Sequence, residues 1–348
     1  MKVLFLYTEL AEYFLACIHA FVKKSSAEVH IVMWPVNKEA PFTFSFSGNV
    51  KVYERNQLSD RSVLDLVENI SPDVIFCSGW VDTGYLSVCK KYRNKIPVIV
   101  GFDGKWIGSL KQRLGALFKE FTINKYFSHC WIPGKLQMEF AVRFGFEKKN
   151  ILIGLYSCDY DFYHSIYSSA LEFKRNKFPH RFIFVGRYYE FKGIKDLWQA
   201  FSTISGESPN DWELWCFGTG DISPVKHPQI KHFGFVQPKE MRKYISDSGV
   251  FILPSHVEPW GVVVHEFAAA GFPLICSDHV GAASTFLKEN ENGFGFQSKN
   301  IEQLKSIIRK TISLPDEKLF QMGTKSAELA NQITPDKWAD TLLSIIKQ

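Results

Sequence analysis

The stretch SHVEPWGVVVHEFAAAGFPLICSD, residues 255–278, carries two carboxylates, Glu258 and Glu266, with seven mostly apolar residues between them. Before it, VFILPS is a short apolar run ended by a breaker, which reads as a buried parallel strand. Pro259 disfavours helix at Glu258. VVVHEFAAAG then reads as a helix stopped by Gly271, and PLICS as the next strand. Glu258 therefore belongs to a strand-to-helix loop, and Glu266 to the helix that follows. The two are too far apart to share one proton or one water. They suit the two ends of an extended polar ligand, with the bare amides of a helix N-terminus between them for a phosphate. The plainer reading is a solvated helix glutamate and a loop charge.

Cations accompany the carboxylates. In FVGRYYEFKGIKDLWQAF a strand ends at Gly186, Arg187 follows it, and Lys192 with Gly193 opens a helix. Arg187 binds oxygens in pairs and Lys192 adds a point charge, a combination suited to a diphosphate; the alternative is an ordinary surface Arg and Lys. CFGTGD places Gly218 and Gly220 after a strand, where a ligand or another backbone could come close. It lacks the third glycine of a dinucleotide fingerprint. Asp159-x-Asp161 has the oxygen spacing of a divalent-cation site, but it falls at the junction of two halves and reads as a decoy. No histidine pair has ligand spacing, so no metal is expected. Asp103, in VGFDGKW, could orient a substrate hydroxyl or simply form an Asp-Gly turn.

The elements needed to hold these residues are legible. KVLFLY, EVHIVMW, VKVYE, DVIFCS, PVIVGF and CWIP alternate with helical stretches such as SDRSVLDLVENI, capped by Ser59 or Asp60. A second alternation begins at RFIFVGR and continues through WELWCFG, IKHFGF, VFILPS, PLICSD and GFGFQ. Such alternation means parallel sheets covered by helices on both faces. The chain of 348 residues thus reads as two α/β halves, 1–160 and 175–333, with the boundary near 158–175. The amphipathic tail 334–348 would pack back on the first half. Ligands in such sheets bind beyond the carboxyl ends of the strands, here in a cleft between the halves.

Composition narrows the class. At 46% hydrophobic and 22% charged, the chain has ample material for a core. No apolar run approaches the roughly 20 residues that span a bilayer. MKVLFLYTEL reads as a first strand, not a signal peptide. Seven scattered cysteines without CxxC spacing suit core thiols in a reducing compartment. The net charge of +5 is uneven, because residues 90–149 hold 13 basic against 4 acidic side chains. SLKQRLGALFKEF sets Leu110, Leu114, Leu117, Phe118 and Phe121 at helical spacing beside Lys111, Arg113 and Lys119. The expectation is that the apolar face packs on the first sheet. The cations would still attract an anionic surface.

Together these pieces resemble a retaining glycosyltransferase of family 4, with the GT-B fold of two Rossmann-like domains. The family's E-x7-E signature matches Glu258 and Glu266, its vGR…KG matches VGRYYEFKG, and its Gly-x-Gly matches FGTGD. VGAA and ENGFGF match its closing glycines, and SCDYDFY its linker. The resemblance implies a role for each residue. Glu266 would bind the ribose hydroxyls of the donor and Glu258 the hydroxyls of its sugar. Arg187 and Lys192 would hold the diphosphate. The amides of Trp260, Gly261 and Val262 would meet phosphate or sugar, and Val236 would lie near the base. Gly186 and Gly218 would border the donor, and Asp103 loosely matches a position near the transferred sugar. The donor would be a UDP- or GDP-linked sugar, used without cofactor or metal. The acceptor would be a glycan or lipid-linked molecule, not nucleic acid. The setting would be polysaccharide assembly in the cytoplasm, with reversible contact to the inner membrane face. One departure is the first loop, YTELAEYF, which lacks the family's glycine pair; Glu9 or Glu12 would face the acceptor instead. A nucleotide-sugar epimerase and a noncatalytic glycan-binding homologue are the competing readings.

Overall fold

A computed structural model describes residues 1–38, 41–46, 48–207 and 210–346. The chain divides into two units, Met1–Ser157 with Ile333–Gln348, and Cys158–Gln332.

The first unit is built on seven parallel strands: β1 (Lys2–Tyr7), β2 (Glu28–Met33), β3 (Val50–Glu54), β4 (Val74–Ser78), β5 (Val98–Gly101), β6 (His129–Ile132) and β7 (Ile151–Ile153). Their order is β3-β2-β1-β4-β5-β6-β7. The central strands are continuous apolar runs because both faces of a parallel sheet are covered; Val3, Leu4, Phe5 and Leu6 are all fully buried. Ser59 caps the helix Asp60–Ile70, its hydroxyl accepting from the Ser62 amide at 3.1 Å. The strand β7 has no counterpart among the strands expected from sequence: three residues, ILI, are too short a run to stand out from the loop that follows.

The helix Pro335–Ile346 packs against the helix Glu12–Ser25 of this same unit; residues 347 and 348 of the expected tail lie outside the described residues. Trp338 anchors it. The indole is buried, stacks on Trp131 with centroids 4.7 Å apart, and donates from Nε1 to the Leu155 carbonyl at 2.9 Å.

The basic segment departs from expectation. The helix Leu110–Leu117 has no buried residue. Its inward side uses the smallest residues: a side chain on Gly115 would press on the Phe144 ring, and Ala116 packs beside the core. The leucines point outward, because the contact surface is too close to the backbone to admit them.

The second unit has six parallel strands: β8 (Arg181–Val185), β9 (Glu213–Phe217), β10 (Ile230–His232), β11 (Val250–Leu253), β12 (Leu274–Ser277) and β13 (Gly293–Phe296). Their order is β10-β9-β8-β11-β12-β13. The polar, basic run EFKRNKFPH precedes β8. It ends the helix Tyr160–Asn176, whose Lys174 is buried, donates to the Ile245 carbonyl at 3.2 Å and lies 3.9 Å from the centroid of Phe272.

Candidate functional site

In the second unit the first strand, β8, lies between β9 and β11. The chain goes one way from β8 to β9 and β10, and the other way to β11. The strand order therefore reverses between β8 and β11, and the loops leaving their carboxyl edge lie where open α/β sheets bind ligands. Both loops carry the residues singled out by sequence.

The loop after β8 leads through Arg187 to the short turn Glu190–Lys192 and the helix Ile194–Glu207. Gly193 between them has φ +67°, and a side chain there would collide with the Pro254 carbonyl. That close approach zips the two loops together. The Phe191 carbonyl accepts from the amides of His256 at 2.8 Å and Val257 at 3.1 Å. His256 Nε2 pairs with Asp196 Oδ2 at 2.7 Å. Within this frame Lys192 Nζ reaches Glu258 Oε2 at 2.5 Å, and the Ser255 hydroxyl donates to the same oxygen at 3.3 Å.

The Glu258 loop is held from its other side too. The Gly281 amide donates to the Glu258 carbonyl at 3.0 Å, and the Ala282 amide to the Trp260 carbonyl at 2.8 Å. Gly281 must be glycine, since a side chain would collide with the Pro259 carbonyl. Trp260 is buried. Gly261, at φ +90°, then turns the chain into the helix Val262–Ala269. Helix begins one residue past Gly261, so its first amides, including that of Val262, project at the loop that carries Glu258. The helix ends at Ala269, and Gly271 at φ +74° packs against Tyr167.

Glu266 sits within this helix, partly exposed. Burial pushes its carboxyl up to about 7; a hydrogen bond from the buried Tyr163 opposes the rise, and the neighbouring Asp159 carboxylate adds to it. The next residue back, His265, is wholly buried. Its Nδ1 accepts from the Cys158 amide at 3.1 Å and its Nε2 faces the Ala330 carbonyl at 2.9 Å, so the ring is neutral and fixes the helix against the start of the unit.

Other residues fall as follows. Gly186 and Gly218 meet each other: a side chain on Gly218 would collide with the Gly186 carbonyl. The glycine pair of FGTGD is thus required by a second backbone, with Gly220 packed on Tyr188 in the same way. Val236 is half-buried in the loop after β10. Arg187, Lys192, Gly186, Gly218, Val236, Glu258, Trp260, Gly261, Val262 and Glu266 all belong to the second unit. Asp159 caps the helix Tyr160–Asn176 through the Phe162 amide at 3.2 Å, while Asp161 is exposed. Among the described residues no three His, Cys, Asp or Glu side chains are grouped as a metal ion would need.

Asp103 belongs to the first unit, just after β5. Gln137 Nε2 donates to its carbonyl at 3.0 Å, and the Tyr156 hydroxyl lies 3.5 Å from Oδ2. Burial, with Asp103 next in effect, holds the Tyr156 hydroxyl well above the usual tyrosine range. Thr8, in the glycine-free first loop, is fixed by its amide donating to Ser78 Oγ at 2.8 Å. Sequence reasoning missed Tyr163, Ser255 and the His256–Asp196 pair. Ser255 and His256 border the motif and were within reach. Tyr163 is brought to Glu266 only by the packing of two helices.

Residues 171–328 match the model of the family described as glycosyl transferases group 1. An uncharacterized glycosyltransferase of Methanocaldococcus jannaschii is 25% identical over 270 residues, which cover 69% of this chain and 66% of that protein. The match thus spans just under two thirds of that relative's length. A glycosyltransferase structure from Rickettsia africae superposes with a TM-score of 0.73 at 14% identity, covering 99% of this chain and 97% of that one. The chain has the GT-B fold. Another GT-B likeness is to Anabaena Alr3699/HepE, solved with UDP and glucose, with a TM-score of 0.70 at 15% identity over 100% of this chain and 99% of that one. Within this GT-B chain the family model covers β8 to β13 and the whole Lys192–Glu258–Glu266 constellation.

Proposed function

We propose that the protein is a retaining, family 4 type glycosyltransferase. It moves a hexosyl group from a UDP- or GDP-linked sugar to a glycan or lipid-linked acceptor in surface polysaccharide assembly. The observation that carries this reading is the meeting of Lys192 and Glu258 at the switch between β8 and β11, with Glu266 about one turn into the helix that follows. The likeness to a fold solved with UDP and glucose supports the donor class.

In this reading the reaction breaks the bond between the anomeric carbon and the diphosphate oxygen. Negative charge grows on the leaving diphosphate. Lys192 and Arg187 offset that charge, together with the amides of Trp260, Gly261 and Val262, and such donors lower the barrier because they are oriented in advance. Glu258 takes the sugar hydroxyls and Glu266 the ribose hydroxyls. Gly186, Gly218 and Val236 border the nucleotide. Asp103 faces the transferred sugar or the acceptor. No metal or other cofactor takes part. The acceptor hydroxyl oxygen bonds to the anomeric carbon on the face from which the diphosphate departs, and its proton passes to the departing diphosphate oxygen. Reversible contact with an anionic membrane belongs to the same reading, because a lipid-linked acceptor is presented at one.

A thermal-shift panel of nucleoside diphosphate sugars tests the donor, since a ligand bound only by the folded state raises Tm. The expected result is a rise with one UDP- or GDP-sugar that is reduced in Glu266→Ala. Proton NMR of the fresh product then reads the anomeric configuration. No rise with any nucleotide sugar would remove the transferase reading, and an inverted linkage would remove retention.

A further inference from the structure

We propose that the face formed by Ile107, Leu110, Leu114, Leu117, Phe118 and Phe121 seats the first unit on an anionic lipid bilayer. All six side chains are exposed, from 48% at Leu114 and 50% at Phe118 to 75% at Phe121. An ordinary amphipathic helix does the reverse and buries its large apolar residues. Here Gly115 and Ala116 make the inward contact, so the helix Leu110–Leu117 lies close to the unit while its apolar bulk faces out. Six large hydrophobic side chains within fifteen residues form a contiguous patch of the kind that marks an interaction surface.

The charge around the patch selects the occupant. Between residues 105 and 125 stand Lys105, Lys111, Arg113, Lys119 and Lys125 against the single acid Glu120. Lys105, Lys111, Arg113 and Lys125 are exposed and Lys119 is partly so. Glu120 is engaged by Asn124 at 3.0 Å, and Arg113 Nε donates to the Gly108 carbonyl at 2.8 Å, which fixes its charge beside the apolar face. An apolar wedge with cations beside it matches the boundary of an anionic membrane, where leucine and phenylalanine enter the acyl region and lysine and arginine stay among the head groups. No helix of the described residues is long and apolar enough to cross a membrane, so attachment through this face would be peripheral and reversible. The inference deepens the membrane contact of the proposed function and rests on that reading for its purpose, but its observations come from the first unit and not from the donor site.

Co-sedimentation with vesicles of phosphatidylcholine, alone or mixed with phosphatidylglycerol, tests it on the full chain. The expected result is pelleting with the mixed vesicles only, released by added sodium chloride because salt screens the attraction. The double variant Leu117→Ser with Phe121→Ser removes apolar bulk without changing charge. The triple variant Lys111→Glu, Arg113→Glu, Lys119→Glu reverses charge without changing the apolar face. Each is expected to weaken partition by about tenfold or more. Thermal melts of both variants should match the parent, because the apolar substitutions remove no buried contact and the replaced cations lie at the surface. Equal pelleting with both vesicle types, or none with either, would overturn the proposal. So would parental binding by the serine variant. A dimer in sedimentation velocity that the serine variant dissolves would assign the face to a second copy and overturn it as well. Donor turnover on a soluble acceptor, measured in parallel, reports separately on the transferase reading.

Discussion

Lys192 Nζ lies 2.5 Å from Glu258 Oε2, and this pair ties the loop leaving β8 to the loop leaving β11. Both side chains are mostly enclosed, at 19% and 12% exposure. The lysine is therefore already placed, but its charge is partly answered by Glu258. An arriving diphosphate has to share Lys192 with that carboxylate. Glu258→Gln should leave the affinity for the free nucleoside diphosphate unchanged or tighter, while lowering kcat. Lys192→Ala should cost on the order of 2–4 kcal/mol of transition-state stabilisation, the range for removal of one preorganised electrostatic donor. Titration calorimetry and steady-state kinetics separate the two. Weaker nucleotide binding in Glu258→Gln with an unchanged kcat would reverse the assignment.

Arg187 follows β8 within the same frame, and its replacement by Ala should cost a similar 2–4 kcal/mol, on the order of thirty- to a thousandfold in rate. Chelation is the companion measurement. Asp159 is committed as a helix cap and Asp161 is exposed, so the pair is poorly arranged to carry a cation. Turnover in EDTA should equal turnover without it. Loss of activity in EDTA that manganese restores would bring the Asp159–Asp161 spacing back as a metal site.

Lys174 gives the second unit a pH-dependent stability of its own. Burial lowers its ammonium to about 7, with Asp247 opposing the shift. The folded state thus binds fewer protons than the unfolded state between about 7 and 10.5. The stability this group contributes is fully present above the unfolded value and is lost as pH falls through 7. Lys174→Met fills similar volume without the charge. It should raise stability at neutral pH, by no more than about 3–5 kcal/mol, since each tenfold change in proton affinity is worth ~1.4 kcal/mol. It should also flatten the rise of Tm between pH 7 and 10. A variant that melts lower than the parent at pH 7 would show that the contacts to Ile245 and Phe272 outweigh the cost of burying the charge.

Much of this architecture is written in local pattern. The central strands of both sheets are apolar runs between breakers, and their parallel pairing follows from the helices between them. Glu258, Lys192 and Arg187 can be picked out because each stands in the stretch between a strand and the helix after it, where the sequence position implies the sheet edge. Other features depend on packing at a distance. Nothing near Tyr163 announces a partner 103 residues away, and β7 is too short to have a periodicity. The outward leucines of 110–121 escape a periodicity argument for a physical reason. Helical spacing shows that a face is apolar, but only the neighbours decide whether it is covered; here Gly115 fits against Phe144 and Ala116 packs beside the core.

Glu266 should make nucleotide binding and stability respond to pH in opposite directions. Its carboxyl is raised to about 7 by burial, the Tyr163 hydrogen bond lowering it and Asp159 raising it. In the unfolded chain it returns to the ordinary range near 4.3. The folded state therefore holds the proton more tightly, and the stability contributed is fully present below the unfolded value and lost as pH rises through 7. Ribose hydroxyls donate hydrogen bonds, and the ionised carboxylate accepts them more strongly than the acid does. Nucleotide affinity should therefore climb as pH rises through about 7, while the Tm of the free protein falls as pH climbs toward that value. Glu266→Gln should flatten both profiles. Tyr163→Phe removes the one donor that favours the ionised form, so the affinity profile should keep its shape and move to higher pH. Its affinity well above pH 7 should recover toward the parental value, which a merely structural loss would not allow. Calorimetric titration with the free nucleoside diphosphate across pH 5.5–8.5 reads all three proteins. A parental midpoint in Tyr163→Phe would show that the hydroxyl does not set the charge of Glu266, and a pH-independent parent would remove Glu266 from the nucleotide.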